Sequence, residues 1–307
     1  MSKIIGKNLF GWITVLIFCV CLAELLKPAF TEAQVFVFTE EELIEYTADN
    51  PYDRFPDGRP KIPDELIERA RGLSSEEIRL GKGFGNQFED GFQILHPGKK
   101  MVGRAFTVQF MPTRSDVADV AEAKAKERGI ERLGNQTVMD MLQPGDIIVV
   151  DLFGKKEQGT FVGDNLFYYI MRATDNAGMV LDGSMRDLEG IAKLDMQSYY
   201  RHVDPSAIGN VMLTGINIPI RIGSVTVMPG DLVMGDREGI TFIPPALLEK
   251  VLERADRTHI HDEWTRMKFD ERKYKSREIY GSPSDEDLKK EYEEYLERRL
   301  EELEKSR

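Results

Sequence analysis

Apolar positions recur along the chain with two alternating periods, and that alternation predicts an α/β body. The runs Met101 to Phe110 (MVGRAFTVQF) and Ile147 to Asp151 (IIVVD) are rich in β-branched and aromatic residues and read as strands, the second entered through the turn Pro144-Gly145-Asp146. The Ala-rich stretch Val117 to Arg128 and the stretch Leu166 to Ala177 carry helical spacing instead. Met179 to Leu181 reads as a buried strand ending at Asp182-Gly183. Val225 to Val227, Leu232 to Met234 and Ile240 to Ile243 read as three further short strands. Pro229-Gly230-Asp231 enters the second of these three and repeats the turn before IIVVD; so ordinary a turn does not by itself make a tandem repeat. Strands interleaved with helices of crossover length place an α/β domain at residues 73–255.

The flanks differ. Residues 34–72 form an N-terminal extension that is acidic and rich in Pro and Gly up to about Pro63, and that reads as a linker with one short helix near Glu40 to Tyr46. Pro63-Asp64-Glu65 then opens an amphipathic helix through Leu66, Ile67 and Ala70. After Pro244-Pro245 the pattern turns helical over Ala246 to Met267, and residues 256–307 form a charge-dense helical extension. There Leu288, Tyr292, Leu296, Leu300 and Leu303 line up as one apolar stripe, which suits either a helix laid on the body or an oligomer contact.

At the N-terminus, Lys3 and Lys7 precede the uncharged stretch Leu9 to Ala23, 15 residues long, with Glu24 and Lys27 behind it. A spanning helix needs about 20 residues, so residues 1–33 read as a cleaved signal peptide in preference to a membrane anchor, and the body as exported to a periplasmic or other extracytoplasmic space. A tether through residues 9–23 is the alternative. Both cysteines, Cys19 and Cys21, lie in this stretch, so cleavage beyond them leaves a body without disulfides, thiolate metal sites or cysteine nucleophiles.

Charge narrows the partners. A formal net charge of −12 opposes nucleic-acid binding, which needs clustered cations, and it means that a pocket for an acid must be compensated locally by an Arg, a metal or helix N-terminal amides. No serine nucleophile elbow is present. Gly81, Gly83 and Gly85 follow no suitable strand and read as a loop. His259 and His261 diverge on a helix, and Asn135-Gln136-Thr137 is a glycosylation sequon by pattern only.

The chemistry-bearing stretch is Gly163 to Asp187 (GDNLFYYIMRATDNAGMVLDGSMRD): a Gly turn with an acid and an amide, a helix, a strand, then a second Gly turn ending in Arg186-Asp187. The amides after Gly163 stand where a helix N-terminus would face an anion. Arg186 can offer a guanidinium to a carboxylate while Asp187 offers oxygen to a hard cation. By itself an Arg-Asp pair after a strand is more often a surface ion pair.

In combination, the segments PGDIIVVD, GTFVGDNL, AGMVLDGSMRD and IPIRIGSVTVMPGDLVMGDREGITFIP resemble the RraA-like family, from about Lys99 to Pro245. That family holds class II 4-hydroxy-4-methyl-2-oxoglutarate and 4-carboxy-4-hydroxy-2-oxoadipate aldolases as well as the regulator of ribonuclease E activity A. The N-terminal segment, an insertion around Ala121 to Asp140 and the C-terminal extension depart from it. The resemblance implies a swivelling β/β/α-type sandwich, assembled as a homotrimer or hexamer with sites near subunit boundaries, acting on a small 2-oxo acid. It implies that Asp187 holds Mg²⁺ or Mn²⁺ largely through a hydration shell and that Arg186 contacts the 2-oxo acid. Gly163 and the amides of Asn165 and Leu166 would cradle its carboxylate, and Asp164 would orient water or move a proton. Asp164 lies 186 − 164 = 22 positions before Arg186, one more than the family spacing, so either Asp164 or Asn165 fills the acid's place. Glu238, in GDREGI, has no assigned role. The rival expectations are a non-catalytic interaction protein, like the ribonuclease E regulator, and a membrane-tethered structural oligomer.

Overall fold

A computed structural model describes residues 37–78, 80–81, 84, 87–127 and 129–306. The apolar stretch Leu9 to Ala23, both cysteines, Gly83 and Gly85 lie outside the described residues, so the expectations placed on them are not addressed. Among the described residues no helix is long and apolar enough to cross a membrane.

The chain opens with α1 (Glu40–Tyr46), at whose start Thr39 Oγ1 accepts the Glu42 amide while Glu42 returns a carboxylate to the Thr39 amide, a reciprocal cap. Helix α2 (Asp64–Ala70) follows its proline, and then come the short strands β1 (Phe88–Glu89) and β2 (Gln93–Ile94). The long central strand β3 (Met101–Pro112) leads into α3 (Ser115–Glu127), α4 (Asn135–Met139), β4 (Asp146–Asp151) and β5 (Thr160–Val162). Next are α5 (Asp164–Ala173), β6 (Gly178–Met185), α6 (Leu188–Ile191), β7 (Ser198–Val203) and β8 (Val211–Ile216). Strands β9 (Ile220–Ile222), β10 (Val225–Val227), β11 (Leu232–Gly235) and β12 (Ile240–Ile243) precede α7 (Leu248–Asp270), α8 (Ser276–Ile279) and α9 (Glu286–Ser306).

Among the described residues ten strands make one mixed sheet in the order β1-β12-β11-β3-β4-β6-β7-β2, with β5 beside β6 and β8 beside β3. Strands β3, β4, β6 and β7 run parallel, as do β5 and β6. Being buried on both faces, β4 reads as a continuous apolar run. On one face Phe106, Ile148, Val150 and Leu181 pack against Phe167 and Ile170 of α5. On the other, Ala105, Ile147, Val149 and Val180 pack against Ile220, Ile222, Val225 and Val227 of the separate β9–β10 ribbon. The result is a layered α/β fold, as the alternation of elements predicts.

Two expectations are corrected. The extension before Pro63 is not a linker: Ile62 is fully buried, and Arg59, also fully buried, ion-pairs with Asp146 at 2.9 Å and with Asp57 at 2.7 Å. Its composition hid this because one cation in a Pro- and Gly-rich run carries the anchoring. The strand expected to stop at Asp182-Gly183 continues to Met185, because Val162 of β5 and Val203 of β7 both pair with Met185. Tyr199 and Tyr200 pack in the core, whereas Tyr168 and Tyr169 are exposed on α5.

The C-terminal stripe is consumed within the chain. Leu288, Tyr292, Tyr295, Leu296, Leu300 and Leu303 of α9 close over Ile260 and Trp264 of α7 and Ile279 of α8. Helix α7 runs unbroken past residue 255, so no break separates the body from the extension there.

Removing the Arg59 guanidinium would leave the Asp146 carboxylate buried without its counter-ion. Arg59→Ala should therefore cost about 3–5 kcal/mol in denaturant unfolding. A loss below about 1 kcal/mol would show that the extension does not brace the sheet.

Candidate functional site

Two βα turns lie side by side because their strands are parallel neighbours. Val162 of β5 pairs with Met185 of β6, and the Arg186 amide donates to the Val162 carbonyl at 3.2 Å. Gly163-Asp164 at the start of α5 is thereby set against Arg186-Asp187 at the start of α6. A Cβ added to Gly163 would stand 2.4 Å from Asp187 Oδ2 and 3.3 Å from Arg186 Nε, so the two side chains occupy the space that any other residue would need. Gly163 itself is extended (φ −108°, ψ −172°), so its requirement is one of space and not of conformation.

Asp187 is left-handed (φ 60°, ψ 35°), a conformation that L residues other than Gly adopt at a cost. It precedes α6, but its side chain makes no capping hydrogen bond; its carbonyl does the work, accepting the amides of Gly190 at 2.9 Å and Ile191 at 3.0 Å. The Arg186 Nε to Asp187 Oδ2 separation is 3.5 Å, longer than a good hydrogen bond, and the two side chains are 40% and 47% exposed. Both charges are therefore close together and still available to a ligand.

Asp164 joins them from the other turn. A Cβ on Gly190 would lie 3.1 Å from both Cβ and Oδ2 of Asp164, so this glycine leaves room for the acid. Asp164 Oδ1 accepts the Asn165 amide at 2.7 Å, and the helical ladder proper begins with Phe167 N donating to Gly163 O. Of the two amides expected to cradle an anion, that of Asn165 is thus engaged by Asp164. Leu166 is half-buried beside the core, and the Asn165 side chain is exposed. Gly163, Asp164, Asn165, Leu166, Arg186 and Asp187 are all brought to one place; Glu238 is not. It sits in the β11–β12 turn beyond Gly235, which pairs with Met101 at the start of β3, whereas Arg186 follows the far end of the parallel β6. Among the described residues no cluster of three or more His, Asp or Glu is placed to hold a metal without help from water or substrate.

Sequence reasoning passed over two features. Gly190 shapes the site but has no signal beyond its spacing from Asp187. Asp182, read as a strand end, is spent on a brace: Arg201 Nε donates to its Oδ1 at 2.9 Å, and Arg201 also binds Glu89 at 2.6 Å. Burial, aided by nearby Asp182, pushes the Asp151 carboxyl above the usual range.

Compared with known proteins, residues 74–242, more than half of the chain, match the RraA-like (Aldolase/RraA) family model. The chain belongs to the RraA-like family. A Halalkalibacterium halodurans relative, provisionally named 4-hydroxy-4-methyl-2-oxoglutarate aldolase, is 32% identical over 120 residues, covering 39% of this chain and 56% of the relative. A Shewanella oneidensis relative with the same provisional name is 30% identical over 118 residues, covering 37% and 70%. The match thus spans little more than half the length of the first of these RraA-like relatives. Among solved structures, Streptomyces coelicolor RraAS2, described as an unusual member of the RNase ES inhibitor RraA protein family, superposes with a TM-score of 0.58 at 27% identity. That match covers 68% of this chain and all of that one.

If Asp187 is kept for its carboxylate in spite of its backbone, Asp187→Gly should melt at or above the wild-type temperature and Asp187→Ala below Asp187→Gly, by about 1 kcal/mol. Thermal unfolding of both variants measures this. A marked destabilisation of Asp187→Gly would mean that the side chain holds the fold.

Proposed function

We propose that this RraA-like chain is a divalent-metal-dependent lyase that cleaves a 4-hydroxy-2-oxo acid by a retro-aldol step and releases pyruvate. One observation carries the reading: a guanidinium and a carboxylate stand together over Gly163, neither consumed by the fold, beside the N-terminus of α5. The names of the aldolase relatives support the same chemistry.

The donors fit Mg²⁺ or Mn²⁺. Asp187 offers a half-exposed carboxylate that caps nothing, and Asp164 stands close by; among the described residues no third His, Asp or Glu clusters with them, and two carboxylates suit a hard cation that keeps most of its water. When bound, such a cation supplies Lewis-acid polarisation of the 2-oxo group. Arg186 holds fixed positive charge where the enolate of pyruvate develops, and the amides after Gly163 receive the substrate carboxylate, that of Asn165 exchanging Asp164 Oδ1 for it. The 4-hydroxyl gives up its proton, to Asp164 or to a water that Asp164 orients, and becomes the carbonyl of the second product. The bond between C3 and C4 breaks, its electron pair forms the enolate, and protonation at C3 completes pyruvate. Oxaloacetate would reach the same enolate by losing CO₂, which makes decarboxylation a side activity.

Half-exposure of Arg186 and Asp187 in a single subunit suits a homotrimer or hexamer of the swivelling β/β/α type in which a neighbour closes the site. Glu238, at the far end of the sheet, could enter only a neighbour's site. Residues 1–33 direct the body out of the cytoplasm, with a tether through residues 9–23 as the alternative. A second reading, a non-catalytic interaction protein, is favoured by the likeness to RraAS2.

Pyruvate release from 4-hydroxy-4-methyl-2-oxoglutarate should require Mg²⁺ or Mn²⁺ and stop with EDTA. Arg186→Ala should lower kcat about 10²–10³-fold, as loss of a charge-stabilising donor does, and Asp187→Ala at least as much. Metal-independent release, or variants as active as wild type, would refute the mechanism. Absence of release from a screen of 4-hydroxy-2-oxo acids and oxaloacetate would favour the interaction protein.

A further inference from the structure

Strand β6 reaches the candidate site through an irregular stretch. It pairs regularly with β7 up to Leu181 opposite Tyr200 and resumes at Ser184 opposite His202, so β6 takes three steps where β7 takes two. The extra residue lies at Asp182-Gly183. On the other side, β5 passes from Thr160 to Val162 while β6 advances only from Ser184 to Met185, which leaves Phe161 as a second extra residue. Bulges are rare between parallel strands and recur beside active sites, where they re-aim the residues that follow. Arg186 and Asp187 are the next two residues after this offset segment, and Gly163 is the next after Val162.

The bulge in β6 is held from both sides. Gly183 has no room for a Cβ, which would stand 2.8 Å from Leu152 Cδ2 and 3.2 Å from the Gly159 carbonyl oxygen. Asp182 is buried, and its Oδ1 accepts from Arg201 Nε at 2.9 Å. Arg201 is the one residue of β7 between Tyr200 and His202, so it is the residue that opposes the bulge. Its guanidinium lies 3.8 Å from the centroid of the Phe92 ring, and it donates to the Asp90 carbonyl at 2.7 Å and to Glu89 Oε1 at 2.6 Å. Glu89 is held in turn by the amide and the hydroxyl of Ser224, in the β9–β10 turn. The guanidinium therefore cannot shift along the sheet without breaking contacts to β1 and to the β1–β2 turn. We propose that the Arg201–Asp182 pair positions Arg186 and Asp187 by holding the β6 bulge in register. Paired without the bulge, β6 would carry its end one residue, about 3.3 Å, further along β7 and out of its present fit to Gly163. Both members of the pair act through the backbone of β6. The consequence for turnover rests on the proposed lyase reaction, whereas the consequence for the backbone does not.

Amide hydrogen exchange in the intact chain reads the positioning without a substrate. The Arg186 amide donates to Val162 O, and those of Gly190 and Ile191 donate to Asp187 O. In Arg201→Ala these three should exchange at least tenfold faster than in wild type, while the bonded amides of Arg104 and Ala105, at the entry to β3, stay within about threefold. Asp182→Asn, which keeps an acceptor for Arg201 but not its charge, should show the same pattern at about threefold or more, and it decides alone if Arg201→Ala does not fold. The second readout is the Mn²⁺ concentration that gives half the full rate of pyruvate release, which should rise at least tenfold in Arg201→Ala. A variant that merely lost folded protein would release less pyruvate at every Mn²⁺ concentration and keep that midpoint. Faster exchange confined to the three site amides supports the positioning role even where wild type turns over no substrate, an outcome that sinks the lyase reading alone. Unchanged exchange at those amides in the variants that fold, a rise of equal size at Arg104 and Ala105, or an unchanged Mn²⁺ midpoint beside measurable release would overturn the proposal.

Discussion

A missing side chain at Gly163 holds the candidate site in its present shape. Any Cβ there would collide with Asp187 Oδ2 at 2.4 Å, so the parallel pairing of β5 with β6 can bring the two βα turns together only if the first carries glycine. The same economy recurs at Gly190, which makes room for Asp164. Two glycines thus let two carboxylates and a guanidinium gather in a small space without being buried, and burial is what would make such a cluster costly. Backbone strain at Asp187 is consistent with this. The chain tolerates an aspartate in a left-handed conformation and does not spend its carboxylate on the helix that follows.

Much of this was legible in the sequence, because a local pattern encodes it. The β-branched runs gave β3 and β4, and the proline followed by acids gave α2. The residues Gly163, Asp164, Arg186 and Asp187 stand together because the two turns end neighbouring strands of an alternating βα series. What escaped is non-local. The two-residue strands β1 and β2 exist only by pairing with β12 and β7, and β6 outruns its apolar pattern because β5 and β7 flank its polar end. Composition also misread residues 50–63: a Pro- and Gly-rich run looks like a linker until its arginine finds a buried aspartate far along the chain.

That arginine joins the fold's periphery to its centre. Arg59 meets Asp146 at the entry to β4, Arg104 of β3 donates to the Ile62 carbonyl at 2.8 Å, and Pro60 lies under Gly230. The extension therefore ties together the entries to β3, β4 and β11, and β4 is the parallel neighbour of β6, whose far end leads to Arg186. The first turns of α7 pack on the sheet through Leu248, Val251 and Leu252, and beyond them the C-terminal helices close a small core of their own around Trp264, with buried Lys268 bridging Glu271 and Glu291. They contribute none of the residues around Gly163.

The central claim is that the Asp187 carboxylate, kept free by Gly163, seats a divalent cation beside Arg186. Crystals soaked with Mn²⁺ and pyruvate, read by anomalous scattering, test it directly. The account predicts one strong peak about 2.1 Å from an Asp187 carboxylate oxygen, with water filling most other positions and pyruvate within reach of Arg186. A peak bound elsewhere, or pyruvate bound away from Arg186 with no metal at Asp187, would contradict it.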